Sequence, residues 1–136
     1  MSKITVQATV NAAPEKVWKL WSTPEDIMQW NSPSPDWHSP KAENDLREGG
    51  SFNYRMEAKD GSMGFDFGGT YDKVQQNERI DYTMGDGRQV SNTFTANGNA
   101  TDMVVTFDAE TENPEDMQRM GWQAILDNFK QYAESK

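Results

Sequence analysis

The sequence predicts an α+β fold in which a curved antiparallel sheet wraps around one long C-terminal helix. Three observations lead there. From Glu43 to Ala109 apolar residues recur at every second position, in short runs separated by turn signals. The segment 114–134 is amphipathic at helical spacing and is interrupted only by Gly121. Between the first strand and the strand-rich region lie two short helical starts, each opened by a proline.

The elements follow in order. Ile4, Val6, Ala8 and Val10 alternate with Thr5, Gln7 and Thr9, the pattern of a strand with one buried face. Ala13-Pro14-Glu15 opens a helix over 14–21, with Val17, Trp18, Leu20 and Trp21 on its apolar side. Thr23-Pro24-Glu25-Asp26 repeats the signal with a capping hydroxyl, opening a second helix over 24–30 that carries Ile27, Met28 and Trp30. The stretch from Asn31 to Pro40 holds three prolines and reads as loop.

Gly49-Gly50 marks a bend before Phe52, Tyr54 and Met56. Turns at Asp60-Gly61, Gln76-Asn77-Glu78, Gly85-Asp86-Gly87 and Asn97-Gly98-Asn99 then separate four alternating runs. These are Phe65 to Tyr71, Ile80 to Met84, Val90 to Phe94 and Met103 to Phe107. Such spacing predicts an antiparallel meander of five or six strands. Gly68-Gly69 inside a run suits a sheet that bends sharply. Asn113-Pro114-Glu115-Asp116 supplies a cap, a first-turn proline and acid for the last helix, roughly 30 Å long. Its stripe is expected to lie on the concave sheet face through Met117, Gly121, Ile125, Asn128 and Tyr132.

Composition bounds the function. The 136 residues suit one domain over 1–136, and no run approaches the ~18 apolar residues of a membrane span. The first residues enter a strand pattern directly, without a leader's apolar region, so a cytoplasmic protein is expected. A net charge of −9 argues against nucleic acid and against an anionic membrane surface. With no cysteine and one histidine, His38 beside Trp37, neither a metal site nor a cofactor is expected. The acids between Asp108 and Asp116 lack the spacing of a calcium loop and suit the helix start. No phosphate loop, dinucleotide fingerprint or nucleophile elbow occurs, and no catalytic constellation stands out.

What remains is a set of polar or small residues on faces that should be apolar. Gly121 either lets a strand approach closely or leaves room for a ligand, at a helix-propensity cost of about 1 kcal/mol against alanine. Asn128 points its amide inward and needs a partner, either a protein group or a ligand, and Asn92 raises the same question. Tyr54, Tyr71 and Tyr82 can offer hydroxyls from apolar strand faces, or simply belong to the core. The candidate ligand-binding set is therefore Phe52, Tyr54, Phe67, Tyr71, Tyr82, Phe94, Met117, Gly121, Ile125 and Asn128.

Several motifs carry a family resemblance over about 4–133. Val17-Trp18-Lys19-Leu20-Trp21-Ser22-Thr23-Pro24-Glu25 resembles the first-helix signature of homologues of the heat-shock-protein-90 ATPase activator's C-terminal domain. Asp45-Leu46-Arg47-Glu48-Gly49-Gly50-Ser51-Phe52, Gly69-Thr70-Tyr71 and Glu78-Arg79-Ile80 resemble its following blocks. Gln118-Arg119-Met120-Gly121-Trp122, with Leu126 and Tyr132, resembles its closing helix. The resemblance implies the helix-grip fold of the START-like (SRPBCC) superfamily. It also implies one of three functions: non-catalytic binding of a small hydrophobic or amphipathic molecule between sheet and helix, regulation of a chaperone ATPase, or polyketide cyclase-like catalysis. The activators carry an additional N-terminal domain that this chain is expected to lack, and no acid–base pair is evident, so ligand binding is favoured. The expected partners are a small hydrophobic molecule or a chaperone, with the chain a monomer or weak homodimer.

Overall fold

The computed structural model describes residues 2–32 and 34–136. Strand β1 (Lys3–Val10) leads into helices α1 (Pro14–Ser22) and α2 (Pro24–Trp30). Six strands follow: β2 (Trp37–Asn44), β3 (Ser51–Ala58), β4 (Gly64–Gln75), β5 (Arg79–Met84), β6 (Gln89–Asn97) and β7 (Ala100–Asp108). Helix α3 (Glu115–Glu134) closes the chain. All seven strands form one antiparallel sheet in the order β1-β7-β6-β5-β4-β3-β2, so the meander runs unbroken and β1 returns beside β7. The fold is α+β of the helix-grip type, as expected.

Local physics accounts for most of these elements. β1 buries Ile4, Val6 and Val10, half-buries Ala8 on the same face, and exposes Thr5, Gln7 and Thr9. At Gly68 and Gly69 the neighbouring strands approach so closely that an added Cβ would lie 2.7 Å from the Phe52 carbonyl oxygen and 2.6 Å from that of Thr83. Only glycine admits that bend.

Three expectations change. The segment read as loop from Asn31 to Pro40 is strand from Trp37 onward, with Pro33 outside the described residues. β2 is an edge strand whose register shifts between His38 and Lys41, and Pro40 sits in that irregularity, where no ladder hydrogen bond is lost. The side-chain caps are also absent. Thr23 Oγ1 donates backward to the Lys19 carbonyl at 2.7 Å, and the Asn113 amide donates to Glu110 at 2.7 Å.

The third change concerns which way α3 faces. Its buried residues are Gln118, Leu126, Phe129 and Ala133, while Met117 is 58% exposed. Three polar side chains explain the rotation. Gln123 both accepts from Gln7 N at 3.3 Å and donates to Gln7 O at 3.0 Å. Lys130 Nζ donates to Thr9 O at 2.7 Å, and Glu134 accepts from Asn11 N at 2.9 Å. These groups on α3 satisfy the backbone that edge strand β1 leaves unpaired, and so cover the edge.

The core lies under this helix. Phe129, fully buried, meets Trp21 and Trp30 edge-on at centroid distances of 4.9 and 5.0 Å, and the two tryptophans stack at 4.6 Å. Phe129→Ala is expected to cost about 3–5 kcal/mol by removing the ring that joins α1, α2 and α3. Urea unfolding of the variant measures it, and a loss under 1 kcal/mol would contradict that role.

Candidate functional site

Because α3 is held along β1, it leaves part of the concave face uncovered. Over β3, β4 and β5 the space between sheet and helix remains open as a cavity of about 360 Å³. Its sheet wall is aromatic: Phe52, Tyr54, Phe67, Tyr71 and Tyr82, with Met56, Phe65 and Met84. Its helix wall is Met117, Gly121, Trp122, Ile125 and Leu126, and α1 and α2 contribute Trp21 and Trp30.

The aromatic wall is self-supporting. Phe52 packs edge-on against Tyr82 at 4.7 Å and tilted against Tyr54 and Tyr71 at 5.0 and 5.1 Å. Trp122 stacks on Phe107 of β7 at 3.9 Å, and Phe67 packs against it in a T-shaped arrangement from the opposite wall at 5.9 Å. Gly121 faces open space, for an added Cβ would meet nothing within 4 Å. Of the two alternatives for this residue, close approach of a strand does not occur.

Of the ten residues singled out in the sequence, eight line the cavity: Phe52, Tyr54, Phe67, Tyr71, Tyr82, Met117, Gly121 and Ile125. Phe94 lies outside that wall. It packs edge-on against Trp18 and Trp21 at 5.4 and 6.2 Å, where α1 covers β6. Asn128 also lies outside it, its amide donating to the Trp30 and Ser32 carbonyls at 3.3 and 3.1 Å and tying α3 to the end of α2. Its partner is a protein group. Asn92 does line the cavity, with its amide nitrogen bonded to Ile80 O at 3.0 Å.

Sequence reasoning passed over Arg88, Asn44 and Gln118, all on the wall. A signal for Arg88 was present: it precedes Val90, Asn92 and Phe94 at the same two-residue spacing and so shares their inward face. Gln118 anchors the β7–α3 loop, donating to Glu110 O at 3.2 Å and Asn113 O at 2.8 Å and accepting from Glu110 N at 2.9 Å.

The polar groups in the cavity are arranged as a chain. The Tyr71 hydroxyl donates to Asn44 Oδ1, and Asn44 Nδ2 donates to the Ser22 carbonyl at 2.6 Å. Burial pushes Tyr71 up to about 12, with the Asp45 charge adding to it. Burial also holds Tyr54 well above its ordinary value, reinforced by the Tyr71 hydroxyl beside it, and raises Tyr82. These hydroxyls remain neutral donors at any physiological pH. His38, now in β2, lies outside the cavity, 3.9 Å from Glu57. Among the described residues, no three His, Asp or Glu side chains come together as a metal site. Nor is any helix there long and apolar enough to cross a membrane.

Comparison with known proteins now adds the family. Residues 11–134 match the model of the Activator of Hsp90 ATPase homolog 1-like proteins. The chain belongs to this family. An AHSA1-like protein from Aeromonas hydrophila, solved by NMR, superposes with a TM-score of 0.92 at 44% identity, over 98% of this chain and 93% of that one. A Cytophaga hutchinsonii protein gives 0.85 at 56% identity, over 98% and 92%. A Chromobacterium violaceum protein gives 0.88 at 23% identity, over 98% and 99%, a likeness of fold. Among curated proteins no match is found.

The tyrosines offer a direct check on the site. Tyr132, bonded to Asp26, is likewise pushed up to about 12 by burial and by that carboxylate, so all four tyrosines of the chain are raised. Their neutral forms are favoured in the fold, which therefore has its full tyrosine contribution below the unfolded value of about 10. That contribution is lost as pH rises through 10 towards 12. Absorbance titration at 295 nm is expected to show almost no tyrosinate at pH 10.5 in the native protein and substantial tyrosinate in urea. Native ionisation near pH 10 would contradict a buried hydroxyl cluster.

Proposed function

We propose that this protein binds a small apolar or amphipathic molecule in the cavity between α3 and strands β3, β4 and β5, without catalysing its conversion. The observation that carries this reading is the cavity itself, about 360 Å³ with walls that are mostly aromatic and aliphatic and carry a limited set of polar side chains. That combination is the usual make-up of a small-molecule site. A packed core has no reason to retain such a space, because voids cost stability. Gly121 supports the reading further, since a helix interior prefers alanine and nothing here excludes one. The titratable wall residues are three tyrosines held protonated, Arg88 and Glu110, a poor set for acid–base turnover at neutral pH. Apolar bulk and Tyr71 or Tyr82 hydroxyls suffice to orient a ligand.

Regulation of a chaperone ATPase is the second reading. It is favoured by the family and by Met117 and Met120, 58% and 73% exposed on the first turns of α3.

The test is to fill the space. Nile red, a neutral apolar dye, is expected to bind the unmodified protein with a rise in fluorescence. Gly121→Leu should abolish that rise while the variant stays folded and melts at the same or a higher temperature. A variant that binds the dye unchanged places the dye elsewhere. No binding to the unmodified protein would favour the chaperone reading.

A further inference from the structure

The cavity has a cation built into its wall, and the ligand-binding reading above can be taken further from it. Arg88 follows the Gly85-Asp86-Gly87 turn, and its backbone is tied down by the hydrogen bond from Met84 N to Arg88 O at 2.8 Å. Its side chain is only 17% exposed. Nε donates to Asp86 Oδ2 at 2.8 Å, and Asp86 itself is 55% exposed, so water weakens that pair. Among the described residues, neither terminal nitrogen of the guanidinium has a hydrogen-bond acceptor. Arg88 is also, among the described residues, the one cationic side chain lining the cavity.

A sheltered guanidinium with its terminal N–H groups open is an unfinished site. Two parallel N–H donors match the oxygens of a carboxylate or phosphate, and such bonds are about twice as strong as neutral ones. A second donor is at hand. Tyr82 pairs with Val90 across β5 and β6, two residues from Arg88. Both side chains line the cavity, and the Tyr82 hydroxyl has no partner among the described residues. One acid shares the wall, Glu110, but its Oε1 already accepts from Asn113 N and Nδ2 at 2.8 and 2.7 Å. The rest of the lining is mostly aromatic and aliphatic.

We propose that the ligand is an anionic amphiphile, its carboxylate or phosphate held by the Arg88 guanidinium and its apolar body lying along the aromatic wall towards Phe52. This rests on the cavity being a ligand site. It goes beyond that reading by assigning the charge of the ligand and the residue that recognises it.

Displacement of Nile red by dodecanoate, dodecyl phosphate and dodecanol tests it, since the three share one chain and differ in the headgroup. An anion is expected to displace the dye at about tenfold lower concentration than the alcohol, although the alcohol is the more hydrophobic. The better of the two anions identifies the headgroup. Arg88→Met should lose this preference and keep the affinity for dodecanol. Arg88→Lys should keep the preference in weaker form, and thermal melting confirms that both variants fold. Equal displacement by alcohol and anions, or a preference that survives Arg88→Met, overturns the proposal while leaving ligand binding standing. A dye that never enters the unmodified protein overturns both.

Discussion

The attachment of α3 to the open edge of β1 sets the geometry of everything else. Edge strands expose unpaired N–H and C=O groups, which natural sheets must cover or blunt. Here Gln123, Lys130 and Glu134 reach the backbone of Gln7, Thr9 and Asn11, and Phe129 anchors the same helix among Trp21 and Trp30. A helix is about 10–12 Å across, whereas strands repeat every ~4.8 Å, so one helix covers two or three strands of seven. A helix committed to β1 and β7 cannot also seal β3, β4 and β5. The cavity is the geometric remainder.

An uncovered concave face would ordinarily collapse, and two features prevent it. The glycine pair at 68–69 bends the sheet so that its far strands curl back towards the helix. Interlocked rings then line the curl, and aromatic side chains have few rotatable bonds with which to fall inward. The chain from Tyr71 through Asn44 to Ser22 ties the polar atoms of this wall to the end of α1. Every fully enclosed polar side-chain atom among the described residues has a partner, and the unpartnered Tyr82 hydroxyl and Arg88 terminal nitrogens are therefore not fully enclosed.

Membership of the Hsp90-activator-homologue family accounts for the architecture, and the close superposition on the Aeromonas hydrophila structure shows how tightly it is kept. A fold of this kind hosts unrelated functions, so the function has to be argued from the site. The site here combines neutral hydroxyls, aromatic surface and a single sheltered arginine.

The sequence by itself determined the elements whose cause is local. The alternation in β1, the proline starts of α1 and α2, the glycine and asparagine turns and the helical period of α3 all act within a few residues, and all were legible. Most of the aromatic wall was legible too, since period two assigns Phe52, Tyr54, Phe67, Tyr71 and Tyr82 to one face. Only the tertiary structure decided what lay opposite each face. Pro40 is admissible in β2 because that strand happens to be the edge. Gln123, Lys130 and Glu134 look like a solvated face until the unpaired backbone of β1 is placed beside them. Phe94 and Asn128 face inward as their periodicity requires, but α1 and the end of α2 meet them there instead of the cavity. Periodicity states which side of an element is covered; what covers it depends on residues distant in the chain.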